Sequence, residues 1–385
     1  MHDFLLKKIY NKDLEKELID IGYDESYAFK GKEKFEYINL KIFDITSTQG
    51  NIIKQCALSV GADCATNKQV ITGKIDISDC ILGANISQLK IIAQKLKLQP
   101  FGLKILGQKL EELLKNSSVV SCKPNTKLVG ILNVTKDSFS DGGKYYDIQA
   151  ATEHLHKLIS DGADVIDIGA ESTKLGAKEV SAEEQLKKLI PILEYIKENG
   201  INIPVSIDTR NSEVAQKCIE LGASFINDVS GFDYDNKMAD VVAKYPDVKI
   251  IIQHSKGTPD EMQNNPQYDN LMDEIYKSLK NKVDFAISKG IKKDNIIIDA
   301  GIGIGFGKTR EQNFEIIHRW KEFKTIGCPV MLGVSRKSLL NIPDASNEEK
   351  DLYTLSLNSI LLNDGIDYIR VHNVKIHKKL QEILL

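Results

Sequence analysis

Asp208 and Asp299, with Asn227 between them in the chain, are oxygen acceptors that suit a flat nitrogen heterocycle, whose ring N–H and amino groups are donors. Arg370, His372 and Lys174 suit an anion such as pyrophosphate, and an arginine can grip one with a planar fork. Asn133 could lend an amide oxygen to Mg2+, which keeps water and phosphate oxygens as its other ligands. A lone polar residue at the end of an apolar run is usually a structural cap, and Asp208 alone could do no more than bind backbone N–H groups. These residues are far apart in sequence, so a shared site needs a fold that gathers them.

From about Lys127 the chain repeats one pattern: a short apolar run ends in polar residues or glycine, and a helical stretch follows. Eight runs are counted: Leu128–Val134, Ala163–Ile168, Ile203–Asp208, Ser224–Asp228, Val248–His254, Asn295–Ala300, Pro329–Val334 and Asp367–Val371. Helical periodicity marks Ser181–Asn199, Ser212–Leu221, Leu271–Ser288 and Glu311–Lys324, and Ser181 with Glu184 reads as a capping box. Near-continuous apolar strands alternating with helices imply a parallel sheet covered on both faces. Eight such units predict an α/β fold of the closed (β/α)8 TIM barrel type; a doubly wound open sheet is the alternative. In such a barrel active sites form at the C-terminal strand ends, and all eight runs end in polar groups. One mouth would then hold carboxylates, amides and cations together.

Residues 1–120 read differently, as a small α+β domain of unassigned role ahead of the 127–385 barrel. Ile38, Leu40 and Ile42 alternate as in a half-exposed strand, and Leu89, Ile92, Ala93 and Leu96 share a helical face. Ser117–Asn125 reads as a linker, and Gly61–Cys64 as a turn leading into a helix or strand.

Composition narrows the class. With 42% hydrophobic residues the chain can bury a core, and a net charge of −3 without a basic stripe argues against a nucleic-acid partner. Six scattered cysteines form no CxxC pair, which fits reduced thiols in a cytoplasmic protein. Neither a signal-peptide core nor a membrane-length apolar stretch is expected. Gly301–Thr309 is glycine-rich but has neither phosphate-loop nor GxGxxG spacing, and reads as a strand-to-helix loop presenting Phe306. His154 and His156, two apart on a helix, do not share a face and read as solvated surface residues.

The segment from Gly130 to Gly143, with Asn133, Phe139 and two glycines at its end, closely resembles the first signature of the dihydropteroate synthases. Asp167–Thr173, Ser206–Thr209, Ile226–Gly231, His254 with Gly257–Pro259, the glycine-rich loop, Gly333–Ser338 and Ile369–His372 continue the match in order, over about Lys127 to Leu385. The resemblance implies a folate-pathway enzyme that condenses 6-hydroxymethyl-7,8-dihydropterin pyrophosphate with p-aminobenzoate, uses Mg2+ and forms a homodimer. It implies that Asp208, Asn227, Asp299 and Lys337 hold the pterin, with Arg370 stacked near it. Asn133, Arg370 and His372 would take the Mg2+-pyrophosphate end, and Lys174 would support the same anion. Thr173, Phe139, Phe306, Lys337 and Ser338 would surround p-aminobenzoate. Lys337, Arg370 and Asp208 would carry the catalytic burden.

The chain departs from the family pattern at Lys136 (for proline), Ala170 (for glycine) and Lys174-Leu175 (for Arg-Pro), and its glycine-rich loop is two residues longer. Two other readings share the pterin-binding barrel: a methyltetrahydrofolate-dependent methyltransferase with a corrinoid partner, and a catalytically silent pterin-binding regulator. The methyltransferase would not need the first signature or Ser335–Ser338, and the retention of Asn133, Lys337, Arg370 and His372 argues against the regulator.

Overall fold

The computed structural model describes residues 5–7, 14–117, 126–134, 144–171, 180–256, 267–340 and 344–384. The chain divides into two compact units, Met1–Ser121 and Cys122–Leu385.

In the first unit, strands β1 (Tyr37–Thr46), β2 (Asp63–Thr66) and β3 (Ile77–Asn85) form an antiparallel sheet in the order β1-β3-β2. Ile38, Leu40 and Ile42 are half-buried on β1, as their alternation predicts. Helix Ser47–Leu58 starts at a full capping box of Thr46 and Gln49, and helix Ile86–Lys97 at one of Asn85 and Gln88. The latter buries Leu89, Ile92, Ala93 and Leu96 against Leu82 and Ala84 of β3 in one hydrophobic cluster. Gly61 lies in a turn with φ +73° that leads into β2.

The second unit is a closed barrel of eight parallel strands. They are β4 (Lys127–Asn133), β5 (Val165–Gly169), β6 (Val205–Asp208), β7 (Phe225–Asp228), β8 (Lys249–Gln253), β9 (Ile296–Asp299), β10 (Val330–Leu332) and β11 (Tyr368–Val371). Pairing of β9 with β10, and of β11 with β4, closes the ring. The open-sheet alternative is thereby excluded. Between the strands run helices such as Ala182–Glu198 and Leu271–Ser288, whose apolar faces join the strands' outer faces in the main core. Ser181 caps the first of these by accepting the Glu184 N–H at 3.2 Å.

The helix predicted over Glu311–Lys324 divides instead. Its α-helical part is Arg310–Arg319, and a 3-10 segment Trp320–Ile326 follows. Trp320, Phe323 and Ile326 stand three apart, the 3-10 repeat, and all three are buried, so packing selects the tighter turn.

The barrel interior is layered by depth. Its floor is apolar: Val129, Val165, Phe225, Ile251, Ile297 and Met331, with Tyr368 against them. Side chains along a strand repeat every two residues. Two residues above the floor therefore stand Asp167, Asn227, Gln253, Asp299 and Arg370, and above those Asn133, Gly169 and His372. On β4, β5, β7, β8, β9 and β11 the inner face thus changes from apolar to polar towards the C-terminal end, whereas β6 is polar at both inward positions, Ser206 and Asp208. Among the described residues no helix is long and apolar enough to cross a membrane.

Candidate active site

The polar ends meet along one line of register, where Asn133 pairs with Gly169, Gly169 with Asp208, and Asp208 with Asn227. Gly169 leaves the space between the flanking side chains open: a Cβ there would stand 3.6 Å from Asn133 Oδ1 and 3.5 Å from Asp208 Cβ. Across the ring Asp299 ends β9, and Arg370 lies one residue from the end of β11, the strand beside β4.

Arg370 ties this ring together. Its Nε donates to Asp167 Oδ2 at 2.5 Å and its Nη2 to Asp208 Oδ2 at 2.6 Å. Asn227 Nδ2 donates to the same Asp167 oxygen at 3.2 Å. Asp167 is fully buried, and sequence reasoning assigned it no role. It hides inside an apolar run between Ile166 and Ile168, yet it occupies an inward position two residues below Gly169. A carboxylate at such a position was the available signal. Two buried acceptors, Asp167 Oδ1 and Asn227 Oδ1, have no hydrogen-bond partner among the described residues. Leaving such groups unpaired costs roughly 1–3 kcal/mol each, so a donor-rich ligand would be favoured here.

Burial sets the protonation states. Asp208 is pushed up to about 7, chiefly by desolvation, with Arg370 opposing and Asp167 and Glu171 adding to the rise. Asp299 is raised by the same cause, opposed by Lys337 and by the Gly301 N–H that its Oδ1 accepts at 2.7 Å. Lys337 is pushed down to about 8 by burial, although Asp299 and Asp208 favour its charge.

Lys337 follows β10 and sits with its Nζ 4.6 Å from the Phe306 ring centroid, donating as well to the Ile302 carbonyl. Phe306 belongs to a 3-10 turn, Ile304–Phe306, between Gly303 (φ +142°) and Gly307 (φ +70°). The glycine-rich loop therefore presents Phe306 beside Lys337. Beneath it Lys308 is buried, its Nζ 3.2 Å from the Phe306 carbonyl oxygen and 3.4 Å from that of His254. Burial pushes Lys308 down to about 7. Nothing in the local residue pattern marks a buried lysine in this loop.

His372, read with Arg370 and Lys174 as a partner for an anion, directly follows β11. Burial, Arg336 and Arg370 push it down to about 3. Its backbone N–H donates to Ser335 Oγ at 3.1 Å, and its Nδ1 lies 2.9 Å from that oxygen. His154 is half-buried rather than solvated, and burial lowers it too; His156 is exposed and bonds the Tyr195 hydroxyl at 3.0 Å. Glu171 receives a two-point contact from Arg210, at 3.0 and 3.3 Å, which sequence reasoning also missed.

Phe139, Thr173 and Lys174 lie outside the described residues, as do most of the first signature and Gly257–Pro259. Ser338 opens a 3-10 turn, Ser338–Leu340, directly after Lys337. The described residues thus bring together Asn133, Asp208, Asn227, Asp299, Phe306, Lys337, Arg370 and His372 at one end of the barrel.

Comparison with known proteins gives the same direction. The model of the pterin binding enzyme family matches residues 129–372. The dihydropteroate synthase of Clostridium beijerinckii is 44% identical over 253 residues, covering 65% of this chain and 89% of that protein. A probable bifunctional folylpolyglutamate synthase/dihydropteroate synthase of Halobacterium salinarum is 34% identical over 336 residues, which is 86% of this chain and 40% of its own length. An alignment of that reach extends into the N-terminal unit, since the barrel unit begins only at Cys122. The crystal structure of dihydropteroate synthase from Clostridium difficile in the presence of pteroic acid has a TM-score of 0.63 and 36% identity, covering 68% of this chain and 96% of that one. The chain belongs to the dihydropteroate synthase family of pterin binding enzymes.

Proposed function

We propose that the protein joins 6-hydroxymethyl-7,8-dihydropterin pyrophosphate to p-aminobenzoate, forming 7,8-dihydropteroate and releasing pyrophosphate. The observation that carries this reading is the Asp167–Arg370–Asp208 bridge beside Asn227 and Asp299: a buried, acceptor-rich slot with a cation at its edge. A pterin offers donors along one edge and a flat face to Arg370. Asp208, Asn227 and Asp299 accept from that edge, and Lys337 meets it from the Phe306 side.

The pyrophosphate end faces Asn133, Arg370 and His372. Ser335 Oγ already accepts the His372 backbone N–H, so its hydroxyl proton is free to donate to Nδ1. That arrangement keeps the ring proton of neutral His372 on Nε2, where it can donate to a phosphate oxygen. Among the described residues no group of three or more His, Cys, Asp or Glu could hold a metal by itself. The exposed amide of Asn133 suits a hard cation that arrives with phosphate oxygens and water as its other ligands. Mg2+ bound there would supply charge neutralisation on the leaving pyrophosphate.

At the pterin methylene the C–O bond to pyrophosphate breaks, the C–N bond to the amine forms, and the nitrogen then gives up one proton to solvent. A neutral aniline nitrogen is already nucleophilic, so the residues' work is electrostatic: Arg370 and Lys337 oppose charge growing on the leaving group. Phe306, Lys337 and Ser338 line the amine's place on this reading, with Thr173 and Phe139; Lys174 supports the anion. The deciding experiment is pyrophosphate release measured with both substrates, and with each alone. Release that needs both is expected; none with both present would sink the assignment.

A further inference from the structure

Arg336 has a left-handed backbone, φ +56°, which a residue with a Cβ adopts only at an energetic cost. The turn it makes sends its neighbours to different parts of the site. Ser335, before it, bonds His372, and Lys337, after it, lies against Phe306. The contacts that hold Arg336 come from the outer helix Asn347–Asn363. Its guanidinium forks onto Asp351, Nε to Oδ1 at 2.7 Å and Nη2 to Oδ2 at 2.8 Å. Asn373 Nδ2 donates to Asp351 Oδ2 at 3.0 Å, fixing the carboxylate from a second side. The Arg336 N–H donates to Thr354 Oγ1 at 3.2 Å, one helical turn on from Asp351.

A partly buried ion pair such as this adds little net stability, because desolvation offsets most of the attraction. A two-point fork does fix orientation, and here it is attached to a residue whose backbone needs holding. We infer that Asp351 is a positioning residue of the active site, holding Arg336 in the left-handed turn that presents Lys337 and Ser335 to the substrates. This rests on the reading that Lys337 and His372 meet the pterin pyrophosphate.

The test exploits glycine, which takes positive φ without penalty. Asp351→Ala is expected to lower kcat/KM for the pterin pyrophosphate by about tenfold or more, as strain of this size implies. Adding Arg336→Gly to that variant is expected to restore most of the loss, because the turn then needs no anchor. Arg336→Ala alone should be less active than Arg336→Gly alone. A pair that served stability only would show melting-temperature changes without this activity rescue. Near-normal kcat/KM in folded Asp351→Ala, or no advantage of glycine over alanine at position 336, overturns the inference. If Asp351→Ala does not fold, the Gly-against-Ala comparison at 336 decides. Lys337→Met separates the two levels: a folded Lys337→Met with unchanged kcat/KM refutes the site reading itself, whereas a loss there with no effect at 351 and 336 refutes only the positioning role.

Discussion

At the scale of single residues, Asp208 is where the site is most exposed to test. It gives Arg370 one of its two carboxylate partners and stands ready to accept from a pterin. Asp208→Ala should keep the fold and lower kcat/KM by roughly tenfold to a hundredfold, the cost of leaving about one or two buried groups unpaired. Near-normal kcat/KM in a folded variant would remove Asp208 from the pterin pocket. The raised pKa of Asp208 adds a pH signature with a definite sign. The carboxylate accepts when ionised, and its value lies at about 7, so kcat/KM for the pterin substrate should fall as pH drops below about 7. In Asp208→Asn, which does not titrate there, that acid limb should disappear from the pH profile. Lys308 gives a second signature, read in stability instead of rate. Burial lowers it to about 7 from the ordinary lysine value of 10.5, so between these values the unfolded chain binds more protons than the folded one. Stability should therefore rise with pH across that window and be lost as pH falls through about 7. Urea unfolding at pH 7 and pH 9 should show the rise in the native protein and a smaller one in Lys308→Met; an unchanged slope would mean that Lys308 stays fully charged in the fold.

At the scale of elements, the strands were legible because each is an apolar run closed by a polar residue or glycine. Ile203–Asp208 became β6, Val205–Asp208, and Asn295–Ala300 became β9, Ile296–Asp299. Asp208 and Asp299 were found for the same reason: a carboxylate ending a buried strand stands out. Asp167 was not, since a polar residue inside an apolar run shows itself only after the inward-facing positions are known. The Arg336–Asp351 fork was hidden for another reason, because it joins a loop to a helix and obeys no local spacing. The glycine-rich loop sets Phe306 beside Lys337, and its tightness depends on backbone contacts that no local spacing encodes. Gly301 shows this. It has φ +72°, and a Cβ would fall 2.0 Å from the His254 carbonyl oxygen. Gly301→Ala should therefore destabilise the barrel by more than about 1 kcal/mol, the scale of backbone strain alone, and disturb Asp299, whose Oδ1 caps the Gly301 N–H. A melting temperature within a degree of the native protein would show that the β8 and β9 ends can move apart cheaply.

At the scale of the whole molecule, each unit has its own hydrophobic core: Leu82, Leu89 and Ile92 lie in one, Leu128, Ile166 and Trp320 in the other. All the residues read as touching substrate belong to the barrel unit. A fragment beginning near Cys122 should accordingly fold and keep pyrophosphate release within a few-fold of the full chain. A folded fragment that binds pterin without turnover would give the N-terminal unit a part in catalysis. The depth layering of the barrel has a consequence for how the protein can change over generations. Folding instructions are written on the floor, at Val129, Val165, Phe225, Ile251, Ile297 and Met331, while chemical instructions are written at the rim. Selection for a new substrate preference, or for escape from a competing small molecule, acts on rim positions whose side chains leave the floor's packing untouched. Such a barrel can explore new chemistry over a foundation that stays the same, and variants altered at exposed rim side chains such as Asn133 should cluster near the native melting temperature while those altered on the floor spread far below it.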